Sequence, residues 1–189
     1  MPRARSKPTK VFHLKVILQD TNPPIWRDLL VPSNIALGKL HTVLQAAFGW
    51  TNSHLHQFEI RDRLIGDIRM NEEDGPDVED ERRIHLDQLV GVGQRLLYLY
   101  DFGDSWHHQI LVAEALEPDR RQTLPLCIGG ARACPPEDCG GTGGYERLLE
   151  ILTDPKHEEH DETLTWVGGY WDAEGLDANR TNRALGVRP

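Results

Sequence analysis

The chain contains no run near the roughly 20 apolar residues that a membrane span requires, and no apolar core follows its first residues as a secretory signal would. A cytoplasmic protein without membrane contact is therefore expected. Cysteine is scarce. Three residues, an odd number, fit reduced thiols or metal ligands better than a disulfide framework. No Ser/Gly-rich or Pro-rich linker interrupts the sequence, so its 189 residues suit one domain with a substantial core better than two very small ones. The glycine-rich run Gly140-Gly141-Thr142-Gly143-Gly144 is followed by Tyr145-Glu146. It lacks the Lys-Ser/Thr pair of a phosphate loop, which disfavours nucleotide binding. A turn that lets a helix pack closely accounts for it more simply.

Positive charge is also in short supply. The net charge is −9, yet Arg3, Arg5, Lys7 and Lys10 fall in the first ten residues. With those four cations set aside, the remainder carries about −13, a sign that repels phosphate backbones. Contact with nucleic acid is expected only through a basic, flexible, solubilising tail at residues 1–10, ahead of a single domain at 11–189.

Hydrophobic periodicity supplies the framework. Phe12, Leu14, Val16 and Leu18 alternate as a strand, broken by Thr21-Asn22-Pro23-Pro24 and followed by a hairpin partner from Ile25 to Val31. Leu37, Leu40, Val43, Leu44 and Ala47 form a helical stripe stopped by Gly49. His54 to Ile60 alternates as another strand, with a short strand expected within 61–70. The carboxylate-rich segment 71–83 reads as an exposed, solvated loop. Arg95–Phe102 and Trp106–Ala113 form a hairpin around Gly103-Asp104-Ser105. A loop carrying the cysteines precedes a helix marked by Tyr145, Leu148, Leu149 and Leu152. A further helix is predicted over 156–167, then short helices or coil anchored by Trp166, Tyr170 and Trp171. Strands come early and helices late. The pattern predicts an α+β fold, a mostly antiparallel sheet with helices packed on it and a helical C-terminal part.

The chemistry concentrates in three stretches: Ser53–Phe58, Tyr100–His108 and Cys127–Gly144. Strand parity places His54 and His56 on the face of Phe58 and Ile60, and His108 on the face of Trp106, Ile110 and Val112. Helical spacing turns His41 toward Leu37, Leu44 and Phe48. Each inward imidazole needs a partner. A His-x-His pair can chelate one ion, and each ring can instead be a core histidine bonded to a carbonyl or carboxylate. Asp101 and Asp104 can orient a histidine, bind a cation, act as base, or accept backbone N–H bonds in the turn. Cys127, Cys134 and Cys139 have six and four residues between them, and only the second gap matches zinc-finger spacing. With one histidine they would close a structural zinc (Zn) site; otherwise they are buried, reduced thiols. The candidate metal ligands are thus His54, His56, His108, Asp101, Cys127, Cys134 and Cys139.

The runs Pro23-Pro24-Ile25-Trp26-Arg27, Ser53–Phe58, Tyr100–Trp106 and Ala133–Gly141 resemble the Ri-plasmid ORF-three-like family, over about Val11 to Leu185. The resemblance implies an α+β domain with no assigned catalytic residue. Some members carry the label of TnpR-type resolvases of mobile elements. Near the C-terminus the family tends toward Phe-Asp-Pro-Glu, where this chain has Trp171-Asp172-Ala173-Glu174. Recombinases concentrate positive charge on a phosphodiester. Here the arginines are scattered among acids and no helix-turn-helix stands out, which disfavours that activity. The leading expectation is a mobile-element-associated binding or accessory domain with an unidentified protein or peptide partner. The alternatives are a metal-dependent hydrolase using His54, His56, His108 and Asp101, and a nucleic-acid accessory protein.

Overall fold

The computed structural model describes residues 10–70 and 75–187. Its centre is one eight-stranded sheet in the order β5-β4-β3-β6-β7-β1-β2-β8. The strands are β1 (Val11–Leu18), β2 (Ile25–Pro32), β3 (His56–Ile60), β4 (Arg63–Gly66), β5 (Val78–Asp80), β6 (Arg95–Tyr100), β7 (Trp106–Leu116) and β8 (Leu126–Ala131). Every neighbouring pair is antiparallel except β4 with β5. Four helices accompany them: α1 (Leu37–Phe48), α2 (Gly141–Thr153), α3 (His160–Trp166) and α4 (Ala178–Ala184). The α+β expectation holds.

Alternation drives the sheet together. Leu14, Val16 and Leu18 of β1, Ile25 and Leu29 of β2, and Trp106, Ile110 and Val112 of β7 are buried on one face. Burying each such aliphatic side chain stabilises by about 1.5–3 kcal/mol. Helix α1 covers that face with Leu37, Leu40, Leu44, Ala47 and Phe48, spaced at three and four residues. It ends at Gly49, whose left-handed backbone (φ 89°) returns an N–H to the Gln45 carbonyl.

The structure corrects several local expectations. Strand β3 begins at His56, so His54 lies ahead of it in an irregular segment. Cys127 sits on the edge strand β8 and not in a loop. As expected of the glycine-rich turn, helix α2 starts within that run. A Cβ on Gly144 would approach the Cys139 carbonyl oxygen to 1.8 Å, which only glycine avoids. Helix α3 is shorter than the span 156–167. Of the three C-terminal aromatics only Trp171 packs inward, edge-on to Tyr145, whereas Trp166 and Tyr170 are exposed.

The acidic segment is also more ordered than its charge suggests. Residues 71–74 lie outside the described residues, as do residues 1–9 of the basic tail. Further on, β5 pairs with β4, and Glu81 is only 7% exposed. Among the described residues, no helix is long and apolar enough to cross a membrane.

Candidate functional site

The three chemistry-bearing stretches converge. His54 comes from the segment before β3 and Asp101 from the turn after β6. Glu137 and Asp138 come from the loop between β8 and α2. His54 Nε2 lies 3.7 Å from Asp101 Oδ2, 3.8 Å from Glu137 Oε2 and 3.2 Å from Asp138 Oδ1. That nitrogen is shielded from solvent and has no hydrogen-bond partner.

Local hydrogen bonds position two of the three carboxylates. Asp101 has φ 57°, a left-handed conformation that Asp adopts more readily than most residues. Its N–H donates to the Leu55 carbonyl, its carbonyl accepts from Ser105 N–H, and its Oδ1 accepts from Gly103 N–H. Oδ2 remains, turned toward His54. Asp138 is likewise left-handed at φ 58°. Glu137 is held through Oε1, which accepts from Thr51 N–H, the Thr51 hydroxyl and the Tyr100 hydroxyl. Burial, and then the adjacent Glu137, raises the Tyr100 phenol above its ordinary value, so it stays a donor. The Asp104 carboxylate accepts from Gly140 N–H and ties the hairpin turn to the start of α2.

Distance decides what this arrangement resembles. A tetrahedral ion with bonds of about 2.0–2.1 Å separates its ligand atoms by about 3.3 Å. The 3.2 Å contact from His54 Nε2, which makes no hydrogen bond, to Asp138 matches an edge of such a shell, and those to Asp101 and Glu137, at 3.7 and 3.8 Å, are a few tenths of an ångström longer. His54, Asp101 and Asp138 present ligand atoms that all lie within 4.8 Å of one another. Among the described residues, no lysine or arginine forms an ion pair with Asp101, Glu137 or Asp138. Three carboxylates facing one imidazole leave negative charge that a cation would offset.

The other sequence candidates lie elsewhere. His56 Nε2 bonds Glu81 Oε2 at 2.7 Å, and its ring stacks on His41 at 3.5 Å with an interplanar angle of 5°. His41 Nε2–H donates to Asn52 Oδ1, while Nδ1 accepts from the Tyr98 hydroxyl. The Gln45 amide donates to that hydroxyl, and the Gln45 carbonyl accepts from Asn52 N–H. His41 is a satisfied core residue, its pKa held down to about 4 by burial and then by His56. His108 is fully buried in the sheet, donating through Nδ1 to the Trp106 carbonyl, and burial holds it at about 4.

The cysteines do not join the His54 group. Among the described residues they form no cluster of three ligand atoms with neighbouring His, Asp or Glu. Burial pushes Cys139 up to about 12 and raises Cys127 and Cys134 above the usual thiol value. All three are therefore protonated near neutral pH. Sequence reasoning missed Glu137 and Asp138, which follow Pro135-Pro136 between two cysteines; the adjacent acids were the available signal.

A cleft of about 580 Å³ opens beside the cluster. His54 stands at its edge, and His41, His56, Asn52 and Glu81 line it. The profile of the plasmid pRiA4b ORF-3-like protein family matches residues 10–180. The chain belongs to that family. It is 42% identical over 178 residues to uncharacterized protein y4hQ of Sinorhizobium fredii (strain NBRC 101917 / NGR234), covering 93% of this chain and 90% of the relative. It is also similar to the crystal structure of MM3350 from Methanosarcina mazei Go1, a protein of unknown function. That match has a TM-score of 0.83 and 35% identity, covering 90% of this chain and 96% of the other.

Proposed function

We propose that this plasmid pRiA4b ORF-3-like domain binds a divalent transition metal ion through His54, Asp101 and Asp138, with Glu137 beside them as a third oxygen donor. The metal stands at the edge of the polar cleft and presents it to a small ligand. The observation that carries the reading is the unbonded His54 Nε2, ringed by three carboxylate oxygens at 3.2–3.8 Å. One nitrogen and three oxygen donors suit zinc or manganese over copper(I), which prefers thiolate and thioether ligands. The Tyr100 and Thr51 bonds to Glu137, and the Gly103 bond to Asp101, are the outer contacts that orient metal-binding carboxylates.

The Asp138 side chain is 71% exposed, which turns that side of the proposed site toward solvent. A solvent-facing position is what distinguishes a site that can take a ligand from a closed structural one. This separates the reading from a purely structural cysteine site. The test is metal analysis of protein purified without chelator, together with titration calorimetry using zinc ions. Stoichiometric binding is expected, with affinity falling 10–100-fold or more in Asp101→Asn and further in His54→Ala. Equal zinc affinity in the parent and His54→Ala would overturn the assignment.

A further inference from the structure

Helix α1 has two lined sides. Leu37, Leu40, Leu44 and Ala47 face the sheet, while Lys39, Thr42, Val43 and Ala46 follow one another at helical spacing on the side turned away from it. Those four form one wall of a cleft of about 1200 Å³. Ile35 lines it from ahead of α1, Leu124 and Pro125 from the segment between β7 and β8, and Leu185 from the end of α4, which packs on α1. Ile35 and Leu185 touch the core yet are only partly buried, so apolar surface remains open there. This cleft shares no lining residue with the one beside His54, and is independent of the metal site.

Charge sets the cleft apart from the rest of the chain. The protein carries a net −9, yet the lining holds two cations, Lys39 and Arg120, and a single carboxylate, Asp119. That carboxylate is already engaged. Its Oδ1 accepts from Arg121 N–H at 2.9 Å and lies 3.4 Å from Arg121 Nε. Among the described residues, the side chains of Lys39 and Arg120 have no hydrogen-bond or ion-pair partner. The N–H groups that open α1 are taken: Leu37 donates to the Ile84 carbonyl, Gly38 to that of Glu81, and Lys39 and Leu40 to that of Ala36. Side chains and not the helix terminus therefore supply the positive charge. Among the described residues, the hydrogen bonds of the turn Asp119–Gln122 run only within it, which leaves Arg120 free to settle on a ligand.

We propose that this cleft binds a small monocarboxylate with an apolar body, its carboxylate held by Lys39 and Arg120 and its body laid along Ile35, Val43, Ala46, Leu124 and Leu185. Two cations against one acid leave a single positive charge in the lining, which suits a monoanion. A dianionic phosphate would exceed that charge and be repelled by the acidic chain around it. The planar guanidinium offers a carboxylate two parallel N–H donors, and the lysine adds a point charge. Small-molecule sites combine mostly apolar walls with a few polar groups that orient the ligand, as here. The volume exceeds the roughly 300–1,000 Å³ of such pockets, so a flexible apolar chain fills this cleft better than a compact polar molecule. Arg3, Arg5 and Lys7 of the chain itself carry the wrong sign to occupy it.

The experiment uses the full chain, isotope-labelled, with decanoate as probe and amide chemical shifts as the reading. Saturable shifts are expected at Ile35, Val43, Ala46, Leu124 and Leu185, unchanged by added chelator. Affinity should rise about two- to fourfold for each methylene from hexanoate to decanoate, as partial to full burial of each implies. Lys39 and Arg120 are exposed, so their joint replacement, Lys39→Glu with Arg120→Glu, should keep the fold. It should lower affinity about tenfold or more, the worth of one charge-assisted hydrogen bond. Ala46→Trp should fill the apolar end and abolish binding, with the amide shifts of β6 and β7 showing that the sheet is kept. Absence of saturable shifts in the parent, equal affinity for decanoate and decan-1-ol, or parent-like affinity in the charge-reversed variant would overturn the inference. Saturable binding of inorganic phosphate at the same amides in place of decanoate would overturn it too.

Discussion

Replacing Arg27 with methionine removes a cation buried in the centre of the molecule, and the cost follows from what it leaves behind. Arg27 is 2% exposed on β2, and burial pulls its guanidinium below its ordinary pKa. Among the described residues it has no carboxylate partner. Instead Nε–H donates to the Ala47 carbonyl at 2.9 Å, Nη1 to the Trp26 and Ala131 carbonyls at 2.8 and 2.9 Å, and Nη2 to the Arg132 carbonyl at 2.9 Å. Its plane also lies over the Phe48 ring, 5.0 Å from the centroid. Where a buried ion pair is replaced whole by apolar residues, both charges disappear and stability is often kept. Here the acceptors are backbone carbonyls, which no substitution removes. Each carbonyl left unsatisfied in the interior costs about 1–3 kcal/mol. Water can reach some of the four, so a loss of about 3–5 kcal/mol is expected for Arg27→Met. For a chain of this size that is a drop in Tm of roughly 10 °C. Arg27→Lys retains the charge but not the planar fork, so it should fall between the two. Urea unfolding followed by circular dichroism measures all three. A midpoint for Arg27→Met within about 1 kcal/mol of the parent would refute the reasoning. The residue matters to function as well. Ala47 precedes the segment that carries His54, and Arg132 opens the loop that carries Glu137 and Asp138, so Arg27 ties together two supports of the candidate site.

Two further outcomes are expected. His41 and His108 have folded pKa values near 4 against an ordinary 6.5. The unfolded chain therefore binds more protons between those limits, and stability falls as pH drops from 6.5 to 4, by up to about 3 kcal/mol per histidine. Urea midpoints at pH 7.5 and 4.5 should differ accordingly, and His108→Asn should show a shallower dependence; an unchanged slope would refute the assignment of His108. Asn182 of α4 accepts from Cys127 N–H at 2.8 Å and donates to the Cys127 carbonyl at 3.0 Å, standing in for a missing strand beside β8. Asn182→Ala should cost about 1–2 kcal/mol and speed hydrogen exchange at the Cys127 amide, with dimerisation through the bared edge as a second readout. Unaltered exchange there would show that the amide does not seal the strand.

Much of the frame was legible because period-two alternation reports one buried face of a sheet. The pattern of Phe12 to Leu18, the break at Pro23-Pro24 and the stripe from Leu37 to Ala47 all reappear as β1, its hairpin partner β2 and α1. Alternation failed at His54 because parity can be extended past the end of a strand without contradiction. Only the register shows β3 pairing with β6 from His56 onward. That the three stretches meet was not legible, because parity reports which way a side chain points and nothing of the distance between segments. Cysteines drew the eye in Ala133–Gly141. Yet burial keeps those thiols protonated, while the two acids between them reach His54.

Glu81 shows where sequence reading stops for a physical reason. It sits in a run of carboxylates that all look solvated, and its composition sets it apart from none of them. Two long-range facts single it out. Strand β5 pairs parallel with β4, which delivers the chain to the N-terminal end of α1, and Gly38 leaves room there for a carboxylate. Neither fact is local, since Gly38 is 43 residues away from Glu81 in the chain. The same two facts explain why His56 and His54, separated by one residue, take different chemical roles. The register of β3 turns His56 toward Glu81 and His41, whereas the irregular segment before it carries His54 to Asp101 and the loop ahead of α2. A His-x-His pattern that looked like one chelating pair is thus divided by the end of a strand into a candidate metal ligand and a histidine bonded to Glu81 and stacked on His41.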